Sequence, residues 1–269
     1  MSLIFPSSIW ILIIVCAVIC TIGFYKFVYF LSVGYGFAVS GIGISILIMF
    51  YNKLTIWTII ACVLFIIYGI RLGGFLVLRE LKSLSYRKTL NEATGSGKPM
   101  PIFVKATIWI CVSIMYVMQV SPIYYRGVNG DNGNISIIIS VIIMTIAIII
   151  ESIADKQKSA EKLINPKRFC DKGLYKIVRC PNYFGEILFW TGVFISGFGI
   201  LQGAGQWIIA TLGYLLIVYV MLSGAKRLEI RQNKNYGKDE EYQKYVEKTP
   251  IIFPLIPLYH LEKIKFIVA

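Results

Sequence analysis

The chain has 269 residues, of which 57% are hydrophobic and only 15% charged. A soluble globule carries about 25% charged and about 45–50% apolar residues, so disorder, a disulfide-rich miniprotein and an ordinary soluble enzyme are excluded. The formal charge is +13, from 27 Lys and Arg against 14 Asp and Glu, but the cations stand between apolar runs, which fits a membrane surface and argues against nucleic acid.

Crossing a bilayer as a helix takes about 20 mostly apolar residues. The first candidate span, 8–25, has almost no charge before Lys26 and no small-residue cleavage site after it, so it is expected to be a retained span and not a signal peptide. Spans two and three follow at 27–50 and 54–77. The polar loop after them contains Gly95-Ser96-Gly97-Lys98-Pro99, which is like a phosphate loop only superficially. Its spacing is wrong, and Pro99 stands where a magnesium-holding Ser or Thr would be. Span four is expected at 103–122 and span five, Asn134-Ile-Ser-Ile-Ile-Ile onward, at 135–154. Spans six and seven, 183–201 and 206–223, are Gly-rich and joined by a short turn at 201–205. These seven define an all-α, polytopic membrane protein of about seven transmembrane helices.

Charge orients this bundle. Seven Lys or Arg lie in 71–105, eight in 156–179 and nine from 224 onward; with Lys26 that makes 25 on one side, against Lys53 and Arg126 on the other. The positive-inside rule then puts the N-terminus outside and the C-terminus in the cytoplasm, as an odd number of spans requires. The same distribution accounts for most of the net charge through membrane lipid.

Acidic residues are informative because none occurs before Glu80. Glu151 and Asp155 are four apart at the cytoplasmic end of the fifth span and share a helical face, which Lys158 and Lys162 continue. Such a face is either a surface ion-pair ladder or a polar wall for a ligand. Pro181 suits the first turn of a helix, where its missing N–H is no loss and the amides that follow favour an anion. Arg179 stands just before it. Asn182, Tyr183 and Glu186 stand just inside, and a carboxylate at Glu186 needs a partner, whether helix or ligand. Further on, Arg227 and Arg231 share a face and could hold phosphate or lipid headgroups. On the third span, Tyr68 and Arg71 are three apart, with the phenol slightly inside the membrane, where most tyrosines are interfacial anchors. One His, His260, and six Cys without a C-x-x-C pair leave no readable zinc site and argue against a His-based triad.

Together these stretches resemble the steroid 5-alpha reductase family, closest to its bacterial-type branch, a domain of unknown function described as steroid 5-alpha reductase-like. The resemblance is carried by Glu151-Ser-Ile-Ala-Asp155-Lys-Gln157-Lys158, by Arg179-Cys-Pro-Asn182-Tyr183-Phe-Gly185-Glu186, and by the tail from Arg227 through Tyr236-Gly237, Tyr242 and Tyr245 to Phe253-Pro254. It is strong over 145–256 and extends weakly to Tyr68, Arg71 and Arg79. The Pro-Asn-Tyr stretch is shared with sterol reductases and isoprenylcysteine carboxyl methyltransferases.

The resemblance implies a seven-helix membrane enzyme that uses NADPH to reduce a carbon–carbon double bond conjugated to a ketone in a hydrophobic substrate. It implies one membrane domain with a substrate side in 1–134, a cytoplasm-facing cofactor region in 135–256 and a cytoplasmic tail in 257–269. Glu151, Asp155, Lys162, Arg179, Asn182, Tyr183, Glu186, Arg227, Arg231 and Tyr236 would form the cofactor shell. Tyr68 would be the reductive tyrosine, with Arg71 on the substrate. Two positions depart from the family pattern: the early-span glutamate that helps hold a steroid carbonyl is missing, and Cys180 stands where His is frequent. A methyltransferase using S-adenosylmethionine and a noncatalytic protein keeping the fold are the competing readings.

Overall fold

A computed structural model describes residues 5–82, 87 and 100–268 of the chain. Among them are eight α-helices and no strand: α1 (Ile9–Cys20), α2 (Val33–Phe50), α3 (Ile56–Lys82), α4 (Ile102–Asn129), α5 (Ile135–Ile164), α6 (Pro181–Ile195), α7 (Gly203–Tyr236) and α8 (Glu240–Lys248). Five helical segments are long and apolar enough to cross a membrane: Phe27–Lys53, Ile56–Lys82, Ile102–Asn129, Ile135–Ile164 and Gly203–Tyr236. The protein is thus an all-α, multi-pass integral membrane protein. The remaining two expected spans coincide with α1 and α6, which have 12 and 15 residues. The phosphate-loop-like segment 95–99 lies outside the described residues.

Isoleucine-rich runs such as 137–150 favour strands in water, yet here they are helical. In hydrocarbon only a helix satisfies its own backbone groups within one segment, and that requirement outweighs β-branched propensity. Several helices run past their expected ends. α5 continues to Ile164 and α7 to Tyr236, carrying polar residues out of the apolar stretch on an unbroken hydrogen-bond ladder. α4 continues through Pro122 to Asn129. α6 stops at Ile195, so the following turn occupies 196–202 and not 201–205.

The chain divides into two compact units. One comprises Met1–Val141 and Val193–Tyr214, the other Ile142–Gly192 and Leu215–Ala269.

The first unit is built on a glycine seam between α2 and α3. A Cβ on Gly69 would stand 2.1 Å from the Gly36 carbonyl oxygen, and one on Gly36 would stand 2.8 Å from the Gly73 nitrogen. Apolar side chains gain nothing by leaving lipid for protein, so helices there associate through close packing, which small residues permit. At its loop end this unit holds Arg126 fully buried. Its Nη1 donates to Asp131 Oδ1 at 2.8 Å, Nη2 to Asn134 Oδ1 at 2.8 Å and Ser136 Oγ at 2.7 Å, and Nε to the Ser196 carbonyl at 2.9 Å. Asp131 in turn accepts from the Thr55 amide and hydroxyl at 2.8 and 2.6 Å. This latch closes the polar ends of α3, α4 and α5.

The second unit contains the short helix α8 and the segment that follows it. α8 is amphipathic, buries Tyr242 and Val246 four residues apart, and is N-capped by Asp239, which accepts from the Glu241 and Tyr242 amides. Tyr242 and Val246 meet Phe169. The segment after α8 bonds the entry to α6: the Arg179 amide donates to the Pro250 carbonyl at 2.9 Å and the Cys180 amide to the Ile251 carbonyl at 2.8 Å. The last residues fold back on α7, where Lys226 Nζ donates to the Ile264 and Ile267 carbonyls at 2.9 and 3.0 Å.

Candidate functional site

The expected site residues fall into two sets, one in each unit. In the second unit, Pro181 is the first residue of α6, as its chemistry requires. Gly185 lets α6 meet α5: a Cβ there would stand 2.5 Å from the Glu151 Cγ. Glu151 and Glu186, two of the expected acids, are thereby buried on adjoining helices, and Glu186 accepts from Trp190 Nε1 at 2.9 Å. Tyr183 lies over Gly224, where a Cβ would stand 3.3 Å from its phenol oxygen. Asp155 is half-buried one turn beyond Glu151 on α5.

Arg179 is the central group. Only 2% of it is exposed, and its Nη2 donates to Glu229 Oε1 at 3.1 Å and to the Tyr259 carbonyl. Glu229, which sequence reasoning did not single out, is a hub. Its Oε2 accepts from the Leu261 and Glu262 amides at 2.8 and 2.9 Å, and its Oε1 lies 3.3 Å from His260 Nδ1. The carboxylate is therefore spread over several donors. Arg179 itself is only partly satisfied: its Nε and Nη1 are buried with no protein acceptor, and Asn182 Oδ1 nearby in sequence is buried with no donor. Burial pushes the Tyr242 phenol up to about 12, against the pull of the nearby Arg179 guanidinium. Burial likewise pushes the Cys180 thiol up to about 12, so it stays protonated and offers no thiolate.

Four other expected shell residues are placed differently. Lys162 Nζ donates to the Pro166 carbonyl at 3.1 Å, to the Arg168 carbonyl and to Tyr236 Oη at 3.0 Å, so its three donors are engaged in closing the end of α5. Tyr236 is held there as its partner, with the ammonium 5.4 Å from its ring. Arg227 and Arg231 are both exposed on α7, while their neighbours Lys226 and Glu229 face inward.

In the first unit, Tyr68 is fully buried, which corrects the interfacial-anchor alternative. Its hydroxyl donates to Tyr35 Oη at 3.1 Å. The two phenols meet because each precedes a seam glycine, Gly36 or Gly69. Tyr116 stacks obliquely on Tyr35 at 4.9 Å and donates to the Phe30 carbonyl at 2.6 Å. Neither Tyr35 nor Tyr116 stood out in the sequence, since tyrosines within apolar runs carry no signal of mutual contact. Arg71 is half-buried one turn beyond Tyr68. Glu80, the first acid of the chain, is buried and held by Lys26 and by the Tyr29 hydroxyl at 2.6 Å.

A protein-family model described as "Protein of unknown function (DUF1295)" matches residues 17–249. The chain belongs to the DUF1295 family. That family is associated with the steroid-reductase and polyprenol-reductase superfamily. The match runs from within α1 to just past α8, so it takes in both Tyr68 and Arg179, well beyond the 145–256 stretch that carries the motifs. No curated protein and no solved structure matches the chain. Membership is consistent with a lipid-modifying membrane enzyme.

Proposed function

We propose that this chain is a membrane oxidoreductase that reduces a carbon–carbon double bond conjugated to a ketone in a hydrophobic substrate, with NADPH as donor. One observation carries the cofactor half of this reading. A buried arginine keeps two nitrogens without acceptors at the entry to α6, three residues before Asn182, whose buried side-chain oxygen has no donor. Buried polar groups are nearly always paired, so an unfilled pair of this kind marks a place for a ligand. Guanidinium nitrogens suit phosphate oxygens, and the amide suits a donor on the nucleotide. Arg179 and Asn182 would thus hold the cofactor, with Tyr183, Glu151, Asp155 and Glu186 around them. Exposed Arg227 and Arg231 suit lipid headgroups better.

NADPH supplies the hydride when bound. The enone gains that hydride at the carbon remote from the ketone and a proton at the carbon beside it. The protein must therefore hold the ketone oxygen while it takes up enolate charge. Tyr68 is assigned this role: its one proton turns from Tyr35 to the ketone, Tyr35 then donating to the Tyr68 oxygen, and no early-span carboxylate takes part. We further infer seven spans, with the N-terminus outside and the cofactor side in the cytoplasm. The 25-to-2 distribution of basic residues supports this, as does the apolar run that continues α1 to Phe24.

The test is turnover by purified protein in lipid nanodiscs, given NADPH with progesterone or a long-chain 2-alkenone. Enone-dependent loss of NADPH with a product heavier by two hydrogens is expected. Binding of S-adenosylmethionine with methyl transfer, and no NADPH oxidation, would overturn the reading.

A further inference from the structure

Gln119 lies on α4, ten residues before the helix ends at Asn129, which is about 15 Å of helix. It is 3% exposed, and neither Oε1 nor Nε2 has a hydrogen-bond partner. Both ends are unpaired, so the observation holds whichever way the amide is turned. The helix backbone is fixed at this point. Pro122 removes the amide that would bond the Met118 carbonyl. Gly213 of α7 comes in against that same carbonyl: a Cβ there would stand 2.5 Å from its oxygen and 2.7 Å from the Gln119 nitrogen.

An unpaired amide deep in a membrane span is costly, because no bulk water reaches it. Ser121 Oγ is unpaired as well, but a serine hydroxyl can turn onto a carbonyl of its own helix at little cost, which a glutamine amide cannot do as readily. Gln119 also has a telling neighbour. Tyr116, three residues earlier on the same helical face, packs on Tyr35, which accepts the Tyr68 hydrogen bond. The unpaired amide and the phenol cluster therefore lie along one stretch of the first unit.

We propose that Gln119 is the polar anchor of a ligand site in the membrane interior, and that its ligand is an apolar molecule bearing a hydroxyl group. A hydroxyl can accept from Nε2 or donate to Oε1 and can share its lone pairs and proton between them. A bare ketone has no proton to give and leaves Oε1 unpaired. This deepens the reductase reading and rests on it only in taking that ligand to be the molecule that is reduced. The ketone end then belongs to Tyr68 and the hydroxyl to Gln119.

The experiment compares two fluorescent probes, pyrenyldecanol and pyrenyldecane, titrated against the full chain in nanodiscs without nucleotide. Wild type is expected to bind the alcohol about tenfold more tightly than the alkane, the scale of one buried hydrogen bond. Gln119→Leu should abolish that preference while keeping its affinity for the alkane, which doubles as the check on folding. If that variant binds neither probe, Gln119→Met is read in the same way. An undiminished preference in the variants, or none in wild type, would overturn the assignment. A protein that prefers the alcohol but never oxidises NADPH would overturn the reductase reading alone.

Discussion

Two buried arginines divide the work of this molecule. Arg126, in the first unit, and Arg179, in the second, are each within 2% of full burial and each meets a carboxylate. Arg126 has a partner on all three of its nitrogens; Arg179 has partners on one only. Removing a guanidinium from water costs several kcal/mol, and only a full set of hydrogen bonds offsets it. Arg126 is therefore a closed structural latch, whereas Arg179 keeps two buried nitrogens without protein acceptors, the opening on which the proposed cofactor role rests. Burial and charge alone do not distinguish the two roles, and the count of satisfied nitrogens does.

The largest expected effect is on the latch. Arg126→Met leaves the Asp131 carboxylate buried without its cation, so it should cost about 3–5 kcal/mol and lower the thermal midpoint of the purified protein or prevent its accumulation. Acid should open the same latch. Burial raises the Asp131 carboxyl, but bonds from Thr55, Thr58 and Arg126 outweigh it and hold the group below its ordinary value. The unfolded chain then binds the proton more tightly. The contribution of Asp131 is fully present above about pH 4 and is lost as pH falls through the depressed folded value. Thermal midpoints measured from pH 7 down to pH 3 should show that loss in wild type. A flat profile, or a stable Arg126→Met, would reduce the latch to an ornament of the loop.

The next effect concerns the phenol pair. Tyr68→Phe should lower single-turnover reduction about a hundredfold with NADPH affinity nearly unchanged, because the hydroxyl is assigned to the acceptor. Tyr35→Phe should cost less, about tenfold, again with NADPH affinity nearly unchanged, since Tyr35 only positions the Tyr68 hydroxyl. Equal losses in the two variants would make both rings packing groups.

Five of the spans were readable from apolar run length, and Pro181 announced the start of α6 to the residue. Other features were hidden for identifiable reasons. Arg126 looks like one of two stray outer charges. Its burial follows from Asp131, Asn134 and Ser136 downstream, a polar cluster that hydropathy averages away. On α7, helical spacing grouped Arg227 with Arg231 correctly, but it could not say that Lys226 and Glu229 form the inward face. What covers that face is 257–268, a stretch with no helical period to announce it. The Tyr35–Tyr68 pair was hidden because each lies in its own apolar run, and the Gly36–Gly69 seam that joins them is visible only in three dimensions.

The most direct test of the open-arginine account is an NADPH titration of the purified chain, beside Arg179→Lys and Asn182→Ala. Lysine keeps a charge opposite Glu229 but loses the guanidinium fork, and alanine removes the unpaired amide while leaving Arg179 in place. Saturable binding by wild type, weakened about tenfold or more in both variants at unchanged thermal midpoint, is the predicted result. Equal affinity in all three proteins, or no saturable binding by wild type, would contradict it and make Arg179 a second structural latch.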